Sequence, residues 1–279
     1  MNTLAISRDM FEEQLAVAAS KVADPRQGLF GPDSMMWKLS KHALFGAHGS
    51  GRALLLQIAH PWVTRGVNQH SKTREDPLGR AKRTFTTVIS IVYGSLEQAQ
   101  KQARIVHNVH RKVQGMMAEN AGAFAQGSSY QANEAHSMLW VHATLWDTTV
   151  MMHELFKGPL TRDEKNRFYE ETRLFAYMFG IPDDVLPPNW DEFMEYNRRM
   201  WDSDQLAVTD ATRELAGFLF DPLHVVLTPA MAWLTLVTAA TLPPRLREEF
   251  GLPWGRQEQF LFDQGRRVIR VAEPLVPSL

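Results

Sequence analysis

Between Arg80 and Gly115 the polar and apolar positions recur twice with the period of a helix that buries one face. In the first run Arg80, Thr84, Thr87 and Ile91 share a side, so a cation and two hydroxyls line a face that turns apolar. In the second, Ala99, Ala103, Val106, His110, Val113 and Met117 step by fours and threes, which places a histidine inside an apolar stripe. Tyr93, Gly94 and Ser95 interrupt the two runs. The pattern therefore predicts a helical hairpin whose polar row approaches His110.

Other segments repeat this design. Leu56, Ala59, His60, Val63 and Val67 form one stripe, and Pro61 predicts a kink or a fresh start beside His60. Leu139, His142, Ala143, Trp146 and Val150 form another, in a stretch free of charge from Ala135 to Trp146. Phe11, Leu15 and Ala18 suggest a surface helix near the N-terminus, Thr161 and Glu164 form a capping box, and Asp191 to Met200 reads as a helix with a solvated face. Leu223 to Pro244 carries no Asp, Glu, Lys or Arg, about the length of a membrane span. Its four threonines and Pro229 favour a buried core or pocket helix instead. Residues 24–36 read as a loop, and Gly46 to Leu55 mimics a phosphate loop in which Arg52 and Ala53 replace the required Lys and Ser/Thr. That stretch is expected to be a flexible turn feeding a helix. Period-two alternation is scarce, so the expected fold is all-α, one globular helical domain over residues 1–279 with almost no sheet.

Composition narrows the chemistry. The chain has 279 residues, with 30 basic and 31 acidic side chains and a net charge of −1, which argues against nucleic acid as a partner. No cysteine is present, which removes disulfides, iron–sulfur clusters, a thiolate haem ligand and a cysteine nucleophile. No Glu stands three residues before a His, and HExxH and G-x-S-x-G are missing, which disfavours a di-iron bundle, a zinc hydrolase of that type and a serine hydrolase. Histidine is thus the leading soft ligand. The N-terminus lacks a basic start followed by an apolar run, so a cytoplasmic location without a transmembrane span is expected. A buried His near an Arg and a Thr in apolar surroundings suits a haem iron or a small anionic ligand. A core histidine bonded to a backbone carbonyl is the plainer alternative.

The HP pair (His60, Pro61), the QHS segment (Gln69, His70, Ser71), R..RT (Arg80, Arg83, Thr84), H..VxG (His110, Val113, Gly115), WVHATLWD (Trp140 to Asp147) and FGIP (Phe179 to Pro182) together resemble the signature of the family of latex clearing proteins (rubber oxygenases) and fungal mycophenolic-acid-pathway oxygenases. The resemblance implies a globin-like helical core at residues 42–185 holding haem b, with His110 as the proximal iron ligand. It also implies that Arg80 and Thr84 lie on the distal side and act on bound oxygen. Arg83 stands where rubber oxygenases carry a Lys that can cap the iron, and a guanidinium is a poor iron ligand. Gln114 replaces an Arg found in many relatives, which weakens any pairing with a haem propionate there. His60, His70 and His142 complete the expected cofactor surroundings, with His142 either a supporting donor or a rival ligand to His110.

Two functional expectations follow from the resemblance. One is a haem-dependent oxidoreductase that uses O2 or a peroxide on a hydrophobic, unsaturated small molecule. The other is a haem-binding sensor or carrier without turnover. A helical protein with no cofactor, its stripe histidines satisfied in the core, is the third possibility.

Overall fold

Capping chemistry sets most of the element boundaries in the computed structural model, which describes residues 3–41, 43–71, 75–220 and 228–272. Ser7 opens α1 (Arg8–Ser20) by accepting from the Met10 amide, and Phe11, Leu15 and Ala18 turn inward. α2 (Met35–Ser40) and α3 (Ala43–Ile58) follow. Pro61 then starts a new helix, α4 (Pro61–His70), with His60 extended at its N-cap, as a proline without an amide hydrogen favours. α5 (Pro77–Tyr93) and α6 (Leu96–His110) form the expected hairpin, the second opened by a reciprocal Ser95/Gln98 capping box.

α6 stops at His110, and the chain that follows is extended. Gln114–Met116 (β1) pairs antiparallel with Ser129–Gln131 (β2), Gly115 opposite Tyr130. Three-residue strands are too short for a period-two signal, which is why the pattern gave no warning of them. The long α7 (Ala135–Phe156) is buried on nearly every side. Around it lie α8 (Arg162–Tyr177), α9 (Trp190–Asp202), α10 (Asp210–Phe220), α11 (Thr228–Thr241), α12 (Pro244–Glu249) and α13 (Arg256–Ala272). The fold is all-α apart from the small ribbon. One hydrophobic core runs from Ile6 to Leu246, and a second cluster joins α7, α11 and α13 through Met152, Phe156, Val237 and Phe262.

Two expectations need correction. The glycine-rich stretch is no turn: residues 43–58 form one continuous helix. Its glycines permit close helix approach, since a methyl group on Gly49 would meet Thr148 Cγ2 at 2.6 Å and one on Gly51 would strike Thr238 and Phe220. Each glycine inside a helix costs about 1 kcal/mol relative to alanine, and tight packing against α7 and α11 offsets it. The charge-free segment is the second case. Residues 223–227 lie outside the described residues, and in α11 only Val237, Thr238 and Ala239 are buried. No helix among the described residues is long and apolar enough to cross a membrane.

Arg52 is the largest charged group sealed inside. Its Nη2 lies 2.6 Å from Asp147 Oδ2, Nη1 donates to Thr148 Oγ1 (2.6 Å), and Nε donates to the Thr241 carbonyl (2.9 Å). Its guanidinium carbon also sits 5.9 Å from the centre of the Trp201 ring. One side chain thus joins α3, α7, α11 and α9. Removing one member of a buried pair leaves the other charge uncompensated, which costs about 3–5 kcal/mol. Asp147→Asn should therefore lower the urea-denaturation stability by about that amount, and the double change Arg52→Met/Asp147→Leu should recover most of the loss. Equal losses in the single and double variants would show that packing, and not charge, dominates at this point.

Candidate functional site

His110 ends α6, one turn beyond a fully packed stretch. Ala99 and Ala103 point to the core, and the next residue on that four-step row is His107. The His107 ring stacks on Phe11 at 4.1 Å and meets the Asn133 side chain through Nδ1 at 3.3 Å, leaving Nε2 buried without a partner. The buried row is therefore Ala99, Ala103, His107, while Val106 and His110 lie half-buried on its flank. That four-step spacing was present in the sequence, and the reading of α6 as a single His110 stripe passed over it.

His110 has a ring that makes no hydrogen bond among the described residues, and its Nδ1 is sealed from solvent. Burial, followed by the neighbouring His107, pushes its pKa down to about 4. At neutral pH it is an uncharged imidazole, the form that ligates metals. His60 caps α4 without a side-chain hydrogen bond, its Nδ1 is likewise sealed, and burial lowers its pKa to about 4. The ring packs at 5.1 Å from Phe124 and 6.3 Å from Trp62.

His142 shows the best-defined protonation state. The Trp146 indole donates to its Nδ1 at 3.1 Å, so Nδ1 is the acceptor and the ring proton resides on Nε2. That Nε2 is buried and has no acceptor among the described residues. Burial lowers the pKa to about 3, and Trp146 and Phe175 pack beside the ring.

Three sequence motifs converge on one small cluster. Tyr130 of β2 donates to Gln69 Oε1 (2.8 Å), and His70 Nε2 donates to the Tyr130 hydroxyl (3.0 Å). A methyl group on Gly115 would lie 3.0 Å from the Tyr130 ring and 3.1 Å from Gln69, and one on Gly66 would lie 3.2 Å from Val113. Tyr130, Met117, Ala121 and Phe124 then pack with Trp62 and Val113. QHS, H..VxG and the helix after HP are thereby joined around a tyrosine that no motif contained. WVHATLWD supplies Asp147 to the buried ion pair, and its Trp146 crosses Phe175 edge to face at 4.9 Å, with Phe179 of FGIP beyond it.

R..RT remains apart from this group. Arg80 is partly buried, and desolvation lowers its pKa, with Arg83 adding repulsion. Arg83 is exposed and pairs with Asp76 at 3.1 Å, the residue that also caps α5 through the Gly79 amide. Thr84 is exposed, its hydroxyl donating to the Arg80 carbonyl, whereas Thr87 accepts from Gln102 of α6 at 2.9 Å. No hydrogen bond or ion pair links Arg80 or Thr84 to His110 among the described residues. His70 and Gln114 are exposed too, and Gln114 sits in β1 opposite Gln131. Lys72 to Arg74 of the loop after QHS fall outside the described residues. A cavity of about 60 Å³ lined by Pro61, Thr64, Met117, Ala121 and Thr212 holds water-sized guests only, well below the several hundred Å³ of an organic ligand.

Among the described residues no three His, Cys, Asp or Glu side chains gather as a metal cluster. The arrangement offers single imidazoles in apolar walls, not a multidentate cage. Residues 37–271 match the family model described as the ER-bound oxygenase mpaB/B'/rubber oxygenase catalytic domain. Uncharacterised proteins of Mycobacterium bovis and Mycobacterium tuberculosis are each 27% identical over 232 residues, 80% of this chain and 87% of their own length. No solved structure matches the chain. With the match covering most of its helices and all six motifs, the chain belongs to the family of mpaB-type and rubber oxygenase catalytic domains.

Proposed function

We propose that this oxygenase-family domain is a haem b-dependent oxidoreductase acting on a hydrophobic, unsaturated small molecule. The observation that carries the reading is His110: a neutral imidazole at a helix end, with no hydrogen bond from the described residues and one nitrogen sealed in apolar surroundings. A histidine that merely fills core would be expected to bond a carbonyl. One neutral imidazole is also the ligand set that haem asks of a protein. Haem supplies the redox chemistry toward O2 or a peroxide when bound.

The chain's own residues then have distinct parts. His110 would hold the iron. Arg80 and Thr84 share one side of α5, where a cation and a hydroxyl can orient a polar diatomic guest. Arg83 is engaged by Asp76 at the start of α5, so it serves to fix that helix end and not to cap the iron. His142 presents an Nε2 proton with no acceptor of its own, suited to an anionic group such as a propionate. Gln114, exposed and uncharged, contributes no charge to such a group. Phe85, Ile105, Val109 and Met116 are about half exposed around the hairpin and ribbon, apolar surface of the kind that a hydrophobic substrate or macrocycle covers. Residues 42–185 would form the haem-binding region of the single domain. A sensor or carrier without turnover would use the same imidazole.

Absorption spectra of the freshly purified protein, oxidised and reduced, are the direct test. A Soret band that His110→Ala removes or strongly shifts, while His142→Ala keeps it at lower thermal stability, is the expected result. Exchange of those two outcomes would reassign the ligand. Arg80→Ala should retain haem and alter the spectrum of added cyanide or imidazole. A Soret band that persists under O2 with an unsaturated substrate, with no product formed, would establish carriage instead of turnover.

Burial of the imidazoles also fixes a pH dependence. His60, His110 and His142 have folded-state pKa values lowered from 6.5 to about 4, 4 and 3. The unfolded chain therefore binds more protons between these limits, and folding stability falls as pH drops below about 6.5. Urea midpoints of the haem-free protein should decrease from pH 7 to pH 4, and less steeply for His142→Gln, which cannot take up a proton. A midpoint flat across that range would contradict the buried, neutral state of these rings.

A further inference from the structure

α13 carries two apolar faces, and only one of them packs against the described residues. Phe262 and Ile269 pack inward on the cluster of α7 and α11, and Gly265 admits the Trp233 ring so closely that a methyl group there would overlap it. The opposite arc presents Phe260, Leu261, Val268 and Val271, which are 61%, 49%, 67% and 78% exposed. These four fall on one side of the helix together with the uncharged Gln257 and Gln264. Beside this arc run Arg256, Arg267 and Arg270, all exposed and with no ion pair among the described residues. The nearest acid on that edge, Asp263, is already engaged by Arg266 and Gln259.

An apolar strip with an unpaired arginine edge is the arrangement of a helix that lies in a lipid interface. We propose that the outer face of α13 docks on an anionic bilayer, its four apolar side chains entering the headgroup boundary and its three arginines meeting lipid phosphates. Charge selects this occupant over a second copy of the chain, because an identical face brings like-charged arginines together, whereas phosphates neutralise them. With no described helix able to span a bilayer, contact in the plane of the surface is the mode open to these residues. Such docking would bring the domain to the phase in which hydrophobic substrates dissolve. The proposal stands apart from the iron site, so its failure leaves the haem reading untouched, and the reverse also holds.

Flotation of the full chain with vesicles of phosphatidylcholine alone or with added phosphatidylglycerol tests it, at low and high salt. The chain should float with the anionic vesicles only, and less at high salt, where screening shortens the reach of charge. Arg267→Gln/Arg270→Gln should lower partitioning about thirtyfold, taking the usual contribution of each surface arginine. Leu261→Ser/Val268→Ser should abolish it, with unchanged thermal melting for both variants because the altered side chains are solvent-facing. Equal flotation on neutral vesicles, or flotation indifferent to the arginine changes, would overturn the proposal. So would a wild-type dimer in light scattering that ignores vesicles and becomes monomeric with Leu261→Ser/Val268→Ser.

Discussion

A guanidinium with no access to water must find its charge and hydrogen-bond partners within the protein, and Arg52 constrains four helices in doing so. Asp147 and Thr148 come from α7, the Thr241 carbonyl from the end of α11, and the Trp201 ring from α9. The approach is close enough only because Gly49 and Gly51 lack side chains where Thr148 and Thr238 press in. Fixing Asp147 also fixes what precedes it on the same helix. Trp146 and His142 lie within two turns of the ion pair, so the rotation of α7 that satisfies Arg52 also sets where the His142 ring points. A core interaction with no chemistry of its own thereby determines the geometry of a candidate site residue.

The glycines explain why this hub was hard to read beforehand. Gly46, Gly49 and Gly51 look like turn punctuation, and Arg52 looks like a failed phosphate-loop lysine, as long as the chain is considered alone. Only the neighbouring helices show that the glycines are clearances and that the arginine faces inward. Elements whose information is local were legible. The hairpin of α5 and α6, the restart at Pro61 and the Thr161 capping box all follow from residues within one or two turns of each other. His107 marks the limit of periodicity as a guide. Ala99 and Ala103 belong to the row through His107 as much as to the one through His110, so the period alone does not say which of the two histidines goes deeper.

The six motif pieces divide in space into two kinds. HP, QHS and H..VxG are tied together by Tyr130, and WVHATLWD and FGIP by edge-to-face and tilted aromatic contacts, so much of the family signature describes packing. A methyl group on Gly115 would crowd Tyr130 and Gln69 at 3.0 and 3.1 Å, a packing reason unrelated to any reaction. Arg80 and Thr84 have no such structural partner. Arg80 is half-buried and meets no carboxylate among the described residues, and that desolvation lowers its pKa. Under the proposed function, Arg80 and Thr84 are the motif residues to which a chemical role falls.

The same reasoning applies to the imidazoles with more force. His60, His107, His110 and His142 each keep a ring nitrogen buried and unbonded, and an unmade hydrogen bond of this kind costs about 1–3 kcal/mol. The chain caps its helices with Ser7, Ser95, Thr161 and Asn189 and shares Glu134 between two amides of α7, while the buried indole nitrogens of Trp62, Trp201 and Trp233 also lack a hydrogen-bond partner among the described residues. Leucine at His60 or His110 would remove the unmade bond at little change in volume, whereas at His142 it would orphan the Trp146 indole N–H. In His142 the discrepancy is sharpest, because Trp146 actively holds the ring in the tautomer that points a proton where no acceptor stands. The Nε2 proton held there meets no acceptor among the described residues, and the proposed haem reading is what would give it one.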